Sequence, residues 1–274
     1  MSATLRDLLD TFEAMWPAGR AESWDSVGLV TGDPAAPVSR ILLAVDAVDE
    51  TIVEAEELGA DLLVTHHPVL LRGVHTIAET TAKGNLLARL VRAGCALMAA
   101  HTNADVVERG TSDELARRLR LVDTEPIEPA ADDATLGLGR VGRLPEPLTL
   151  GALAITVAKI LPATATGVRV AGDFDAEVER IAVCGGAGDS FLADPAVVGA
   201  DVYITSDLRH HPASEAREQA RLAGGRPFLV DTSHWASEWL FLDGAAEELR
   251  RRHPDVEVVV SERNTDPWDF AVPQ

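Results

Sequence analysis

The chain matches itself. Shifted by 140 positions, residues 40–65 fall on 180–205 without a gap. Arg40 falls on Arg180, Ile41 on Ile181, Ala47 on Ala187, Asp49 on Asp189, and Thr65 on Thr205. Gly59-Ala60-Asp61 falls on Gly199-Ala200-Asp201. Each copy reads as one βαβ unit, and gapless register over a whole unit is hard to obtain from composition alone. Around the first copy the pattern continues. Residues 41–45, 61–65 and 95–100 read as buried strands, and 50–58 and 85–93 read as helices with Gly59 and Gly94 in the stop positions. Residues 111–118 read as a further helix, capped from Thr111-Ser112-Asp113-Glu114. In the second half, 227–230 and 256–260 read as strands and 235–250 as a helix. Such alternation specifies a largely parallel sheet covered on both faces. The expected fold is therefore α/β, with two similar, internally repeated three-layer α/β/α lobes and mostly parallel sheets. The lobes are expected at 1–125 and 126–274, joined through 121–139, where Pro126, Pro129, Asp132 and Asp133 suit a connection.

Composition narrows the function. Acidic residues outnumber basic ones 44 to 24, a formal charge of −20. High-affinity binding of bare nucleic acid or of an anionic membrane needs a cationic face, so neither is expected as a partner. The most apolar stretch, 148–162, is too short to span a bilayer and contains Lys159. Cys95 and Cys184 lie far apart in apolar runs, without a C-x-x-C, and read as buried thiols in a reducing compartment. The first seven residues have Asp7 and no apolar core of a signal peptide. The expected location is the cytoplasm.

Three motifs follow three of the strands, at the edge where parallel sheets build their sites. His66-His67-Pro68 follows the strand at 61–65. Adjacent strand residues face opposite ways, so both histidines serve one site only if the chain is already turning, or if each grips a different ion. Two histidines hydrogen-bonded to backbone are the alternative. His101-Thr102-Asn103-Ala104-Asp105 follows the next strand. Asp231-Thr232-Ser233-His234-Trp235-Ala236-Ser237-Glu238 follows the strand at 227–230. With Thr232 or Ser233 as cap, His234 and Glu238 are i and i+4 on the first turn of a helix, about 6 Å apart at Cβ. Nitrogen and oxygen donors without sulfur suit zinc, iron, manganese or nickel. Five or more donors exceed the needs of one tetrahedral ion, and two ions about 3.5 Å apart use the inventory better.

These motifs resemble the Nif-three-like family of dinuclear-metal proteins, known as GTP cyclohydrolase 1 type 2 homologues. The resemblance runs over nearly the whole chain. It includes Trp24-Asp25-Ser26-Val27-Gly28-Leu29, where Ser26 stands in place of the family's usual Asn. The resemblance implies two divalent ions per chain (zinc, iron or manganese), held by His66, His67, Asp105, His234 and Glu238 in a cleft between the lobes, with Glu238 touching both. It places His101 beside them as proton carrier, supporting group or extra ligand, and His101 is taken as the catalytic residue. It implies a metal-dependent hydrolase acting on a small, nucleotide-like molecule, and a toroidal homohexamer. The competing expectation is a non-catalytic metal-binding or regulatory protein that forms a ring. The extra domain that some members carry before the last His has no room here. Two secondary features stand beside these. His211, in Asp207-Leu208-Arg209-His210-His211-Pro212, matches a family histidine and lines the cleft or belongs to a polar loop. The turn Gly185-Gly186-Ala187-Gly188 is either a phosphate cradle or a tight structural turn.

Overall fold

The computed structural model describes residues 3–272. Met1 and Ser2, which belong to the N-terminal segment read above, lie outside the described residues. The chain forms two compact units. One holds the chain up to Val107 together with Leu242–Thr265, and the other holds Glu108–Phe241 together with the residues from Asp266 on. This division differs from the expected break after residue 125 in two ways. Residues 121–139 are not a connection: the strand Val122–Glu125 pairs with Arg140–Thr149, and Glu128–Pro129 pairs with Gly137–Leu138. The C-terminal strand Glu257–Val260 pairs with Arg40–Ala44 and so belongs to the first sheet.

The first unit is built on five strands in the order Glu257–Val260, Arg40–Ala44, Leu62–Thr65, Ala96–Ala99 and Gly28–Thr31. The first four run parallel and the last is antiparallel. Every residue of Leu62–Thr65 and of Ala96–Ala99 is buried, which is why these strands are continuous apolar runs and not alternating ones. The helices between them end as their glycines dictate. Asp49–Leu58 stops at Gly59 and Ala82–Ala93 at Gly94, both glycines in the left-handed region, and the Thr81 hydroxyl caps the start of the second helix. Leu42, Ile52, Leu63, Leu90 and Leu97 form the core of this layer.

The second unit carries a six-stranded sheet in the order Arg169–Ala171, Phe228–Thr232, Val202–Ser206, Glu177–Ala187, Arg140–Thr149 and Val122–Glu125. Phe228–Thr232, Val202–Ser206 and Glu177–Ala187 run parallel; Arg169–Ala171 and Arg140–Thr149 pair antiparallel on either side of them, and Val122–Glu125 pairs antiparallel with Arg140–Thr149. The repeated stretches use the same register. Leu43 pairs with Val64 in one sheet, and Val183 with Ile204 in the other. One carboxylate staples each copy: Asp61 accepts from the N–H groups of Ser39 and Arg40, and Asp201 from those of Glu179 and Arg180. The copies differ where the second has Pro195. The long helix Asp49–Leu58 has as its counterpart only a single turn, Asp189–Phe191, and the short helix Pro195–Val198, capped by Asp194. In this core Tyr203 is fully buried, and its hydroxyl donates to the Gly188 carbonyl at 2.8 Å.

The remaining helices fall close to expectation. Thr111–Arg118 forms, with Gly110 and not a hydroxyl residue at its cap position. The last long helix runs His234–Arg252, with the Ser233 hydroxyl accepting from the Ala236 N–H. No described helix is long and apolar enough to cross a membrane. Both cysteines are free and buried, and burial pushes the Cys95 thiol up to about 12.

Candidate metal centre

The first unit gathers three imidazoles at the carboxyl ends of its central strands. His66 and His67 keep backbone bonds to the neighbouring strand, their N–H groups donating to Ala44 and Val45 carbonyls, while the chain bends. The bend overrides the alternation of a strand, and the two rings lie 5.2 Å apart. His101 follows Ala96–Ala99, with its ring 5.1 Å from that of His66 and 5.5 Å from that of His67. One ring nitrogen from each of the three comes within 4.8 Å of the others. Asp105, on the single turn Thr102–Asp105, brings Oδ1 to 3.6 Å from His66 Nε2.

The other nitrogen of each ring is fixed. His66 Nδ1 lies 2.8 Å from the Ala100 carbonyl, His67 Nδ1 lies 2.7 Å from Asp46 Oδ1, and His101 Nδ1 lies 2.9 Å from Asp25 Oδ1. A carbonyl or carboxylate can only accept, so each Nδ1 carries the proton and each Nε2 keeps its lone pair. This is the outer arrangement that metal-bound histidines use. Asp25 is held in turn by the Thr102 N–H and hydroxyl and by the Ser26 backbone N–H. Because the contact at Ser26 is made by its backbone, the missing Asn leaves this clamp intact. Burial pushes the His101 pKa down, neighbouring His66 adds to this, and Asp25 opposes it, so the ring is neutral at neutral pH. Burial works against ionisation of Asp25, yet hydrogen bonds from His101, Thr102 and Ser26 hold its pKa below the usual range.

The second unit supplies another pair. His234 and Glu238 share the first turns of one helix, with Nε2 3.1 Å from Oε1. His234 Nδ1 lies 2.8 Å from Asp207 Oδ2, repeating the pattern a fourth time. Glu238 is only 4% exposed. Its charge, opposed by burial and aided by Asp207, pushes the His234 pKa up to about 11. A negative set of this kind holds a proton where a cation fits.

The Gly-rich turn has a structural role. Residues 184–187 continue the strand Glu177–Ala187. The Gly185 N–H donates to the Ser112 hydroxyl and the Gly186 N–H to that of Ser237, so these two donors serve the fold and not a phosphate. His210 and His211 open the helix His210–Leu222, and among the described residues neither joins a group of three possible metal donors.

Every expected ligand thus falls in one of two clusters. His66, His67 and Asp105 are in one with His101, and His234 and Glu238 form the other. The sequence reading missed Asp25, Asp46, Asp207 and the Ala100 carbonyl as orienting partners. Asp25 and Asp207 sat inside quoted motifs, but nothing local distinguishes such a carboxylate from a turn residue. The donor chemistry fits divalent ions: neutral imidazoles with Nε2 exposed to a ligand, carboxylates beside them, and no thiolate.

Fold and donor sets together define an α/β protein with histidine–carboxylate clusters suited to metal. The model of the Duf34/NIF3 (NGG1p interacting factor 3) family matches residues 3–267. The chain belongs to this family. It is 49% identical over 270 residues to the GTP cyclohydrolase 1 type 2 homolog of Streptomyces coelicolor, covering 96% of this chain and 93% of that one. The homolog of Mycobacterium tuberculosis is 35% identical, with 98% of each chain covered. Among solved structures, a Bacillus cereus protein related to NIF3 matches with a TM-score of 0.89 at 25% identity, covering 99% of this chain and 100% of that one. A Staphylococcus aureus hypothetical protein gives 0.87 at 26%, with the same coverage.

Proposed function

We propose that the chain is a metal-dependent hydrolase that holds two divalent ions with His66, His67, Asp105, His234 and Glu238 and acts on a nucleotide-like small molecule. The observation that carries this reading is the fourfold fixing of Nδ1: it leaves the Nε2 lone pairs of His66, His67 and His101 for a ligand, and at His234 it leaves Nε2 with a proton, shared with Glu238, that a cation can replace. When bound, two such ions supply Lewis acidity, acidifying a water and polarising the substrate's electrophilic atom. Glu238 and Asp105 would supply negative charge against such ions. Asp25 keeps the His101 proton on Nδ1, so His101 Nε2 accepts a proton from the reacting water and returns it to the leaving group. The names of the curated relatives support a purine nucleotide as substrate, with hydrolytic opening of a C–N bond as the reaction; the donor set suits cleavage of a phosphoester equally well. The reading includes a cytoplasmic setting, to which the two free buried thiols are suited, and a homohexameric ring.

The test is a screen of metal-loaded protein against GTP, other nucleotides and generic phosphoesters, with ion content measured in parallel. The expected result is about two ions per chain and turnover that His66→Ala abolishes. A reproducible single ion per chain under metal-replete conditions sinks the dinuclear reading. Full metal with no turnover favours the second reading, a non-catalytic metal-binding interaction protein. The family's description as an interacting factor supports that alternative.

A further inference from the structure

Trp24 is exposed to 59%, although it belongs to a loop that is pinned at both ends. The Glu22 N–H donates to the Thr102 hydroxyl at 2.9 Å. The Asp25 N–H closes a turn onto the Glu22 carbonyl, and the Asp25 carboxylate takes hydrogen bonds from His101 Nδ1, the Thr102 N–H and the Thr102 hydroxyl. The loop is therefore held by its polar neighbours, and the indole is not what holds it. The ring stands edge-to-face with His101, centroids 5.9 Å apart and planes at 78°. A large aromatic surface kept in water, on a fixed frame beside three imidazoles, gains nothing for folding that its neighbours do not already supply. Its preorganisation suits binding, because a ligand stacked on it has little further ordering to cost.

We propose that Trp24 is the residue that stacks on the planar base of the substrate. The proposal rests on the nucleotide-directed reading above and deepens it: the imidazole cluster faces the reacting centre, and the neighbouring indole selects for an aromatic heterocycle. Any base offers a π face, so stacking tolerates exchange between bases but rejects a sugar phosphate that has none.

The test compares GMP with ribose 5-phosphate as probes, by calorimetric titration of the metal-loaded full chain, for the wild type, Trp24→Phe and Trp24→Ala. Ion content and oligomeric state are measured on each sample. The expected result is tighter binding of GMP than of ribose 5-phosphate by the wild type. Trp24→Ala should lose about tenfold in GMP affinity with ribose 5-phosphate unchanged, and Trp24→Phe should retain most of the difference. Unchanged GMP affinity in Trp24→Ala overturns the stacking role. So does an equal loss for both probes, or a changed oligomeric state without a change in base preference, since these mark loop damage or a subunit contact. Equal binding of both probes by the wild type overturns the stacking role alone. Binding of neither overturns the nucleotide-directed reading and the stacking role with it.

Discussion

Gly186 stands directly against the carboxylate of Glu238: a Cβ on it would fall 2.2 Å from Oε1 and 3.2 Å from His234 Nε2. Its φ of +68° lies in the left-handed region as well. Under the 140-position shift Gly186 falls on Asp46, whose carboxylate holds His67, and, two residues past the matched stretch, Asp207 falls on His67 itself. Matching positions therefore carry different roles. Asp46, just past the strand Arg40–Ala44, holds His67, whereas Gly186 leaves room for Glu238 and Asp207 holds His234.

Gly186→Ala should therefore cost stability and metal together. The left-handed backbone alone costs an L residue about 1–2 kcal/mol. The methyl group also displaces the Glu238 carboxylate. An unfolding free energy in urea lowered by that amount, with most of the bound metal lost, is the expected outcome. Full metal content in a stably folded Gly186→Ala variant would show that Glu238 is not a ligand.

Asp46→Asn and Asp207→Asn each remove the charge behind one ligand imidazole, that of His67 or His234, while keeping its shape. Loss of such an outer partner weakens metal about 10–100-fold. Competition with a coloured chelator should place both variants in that range, with secondary structure unchanged by circular dichroism. A variant that binds as tightly as the wild type removes its histidine from the ligand set.

The paired staples make a separate prediction about folding. Asp61 and Asp201 each take two backbone N–H groups at the start of a repeat strand, and Asp201 also meets Arg226. The donors are half-buried, apart from the exposed Ser39, so losing their acceptor costs about 0.5–1.5 kcal/mol. Asp61→Ala and Asp201→Ala should both fall in this window, and Asp201→Ala should be the larger loss. Denaturant unfolding of the two variants beside the wild type measures it.

The metal-free chain should weaken as pH rises. Glu238 first, then Asp207, lift the His234 pKa to about 11 against the opposing effect of burial, while an unfolded histidine titrates near pH 6.5. The folded state binds the proton more tightly. Its contribution is therefore complete below about pH 6.5 and is lost as pH climbs towards about 11. His101 acts at the other end of the range: burial lowers its pKa, so protonation below about pH 6.5 disfavours the fold. Unfolding midpoints of chelator-treated protein across this range should decline on the alkaline side, and Glu238→Gln should flatten that limb. A limb of the same slope in Glu238→Gln would remove Glu238 as its cause. Added metal replaces the His234 proton, so the stabilisation by metal should grow with pH over the same interval.

The strands and their stops were legible because they are local. Apolar runs ending at His66, His101 and Asp231, and glycines at positions 59 and 94, announce themselves within a few residues. The destination of residues 257–260 was not legible. Three consecutive valines after Glu257 state that a strand forms, not which sheet edge it joins, and Arg40–Ala44 accepts it across more than 200 positions of chain. The orienting acids were hidden for a related reason. Asp46 becomes recognisable only when the bend at His66 and His67 turns the second ring toward it. The i, i+4 relation of His234 and Glu238 needed no such knowledge, since one helix fixes it.

The sharpest test of the assigned roles compares Glu238→Gln with His101→Ala. Glu238 is almost fully buried, and its position on the His234–Arg252 helix fixes its direction, so no neighbouring acid can replace it. The amide keeps the volume but loses the charge and offers one good acceptor atom in place of two. On the two-ion proposal the site should then lose most of its metal, and the melting temperature gained on metal addition should fall with it. His101 stands in a cluster that already has His66, His67 and Asp105. Its removal also frees the Asp25 carboxylate, so a modest loss of stability is expected, with slower proton transfer and partial retention of metal. Ion content and melting curves of both variants, prepared in parallel, decide the matter. Full metal in Glu238→Gln together with lost metal in His101→Ala would mean that His101 is the indispensable ligand and Glu238 the supporting group.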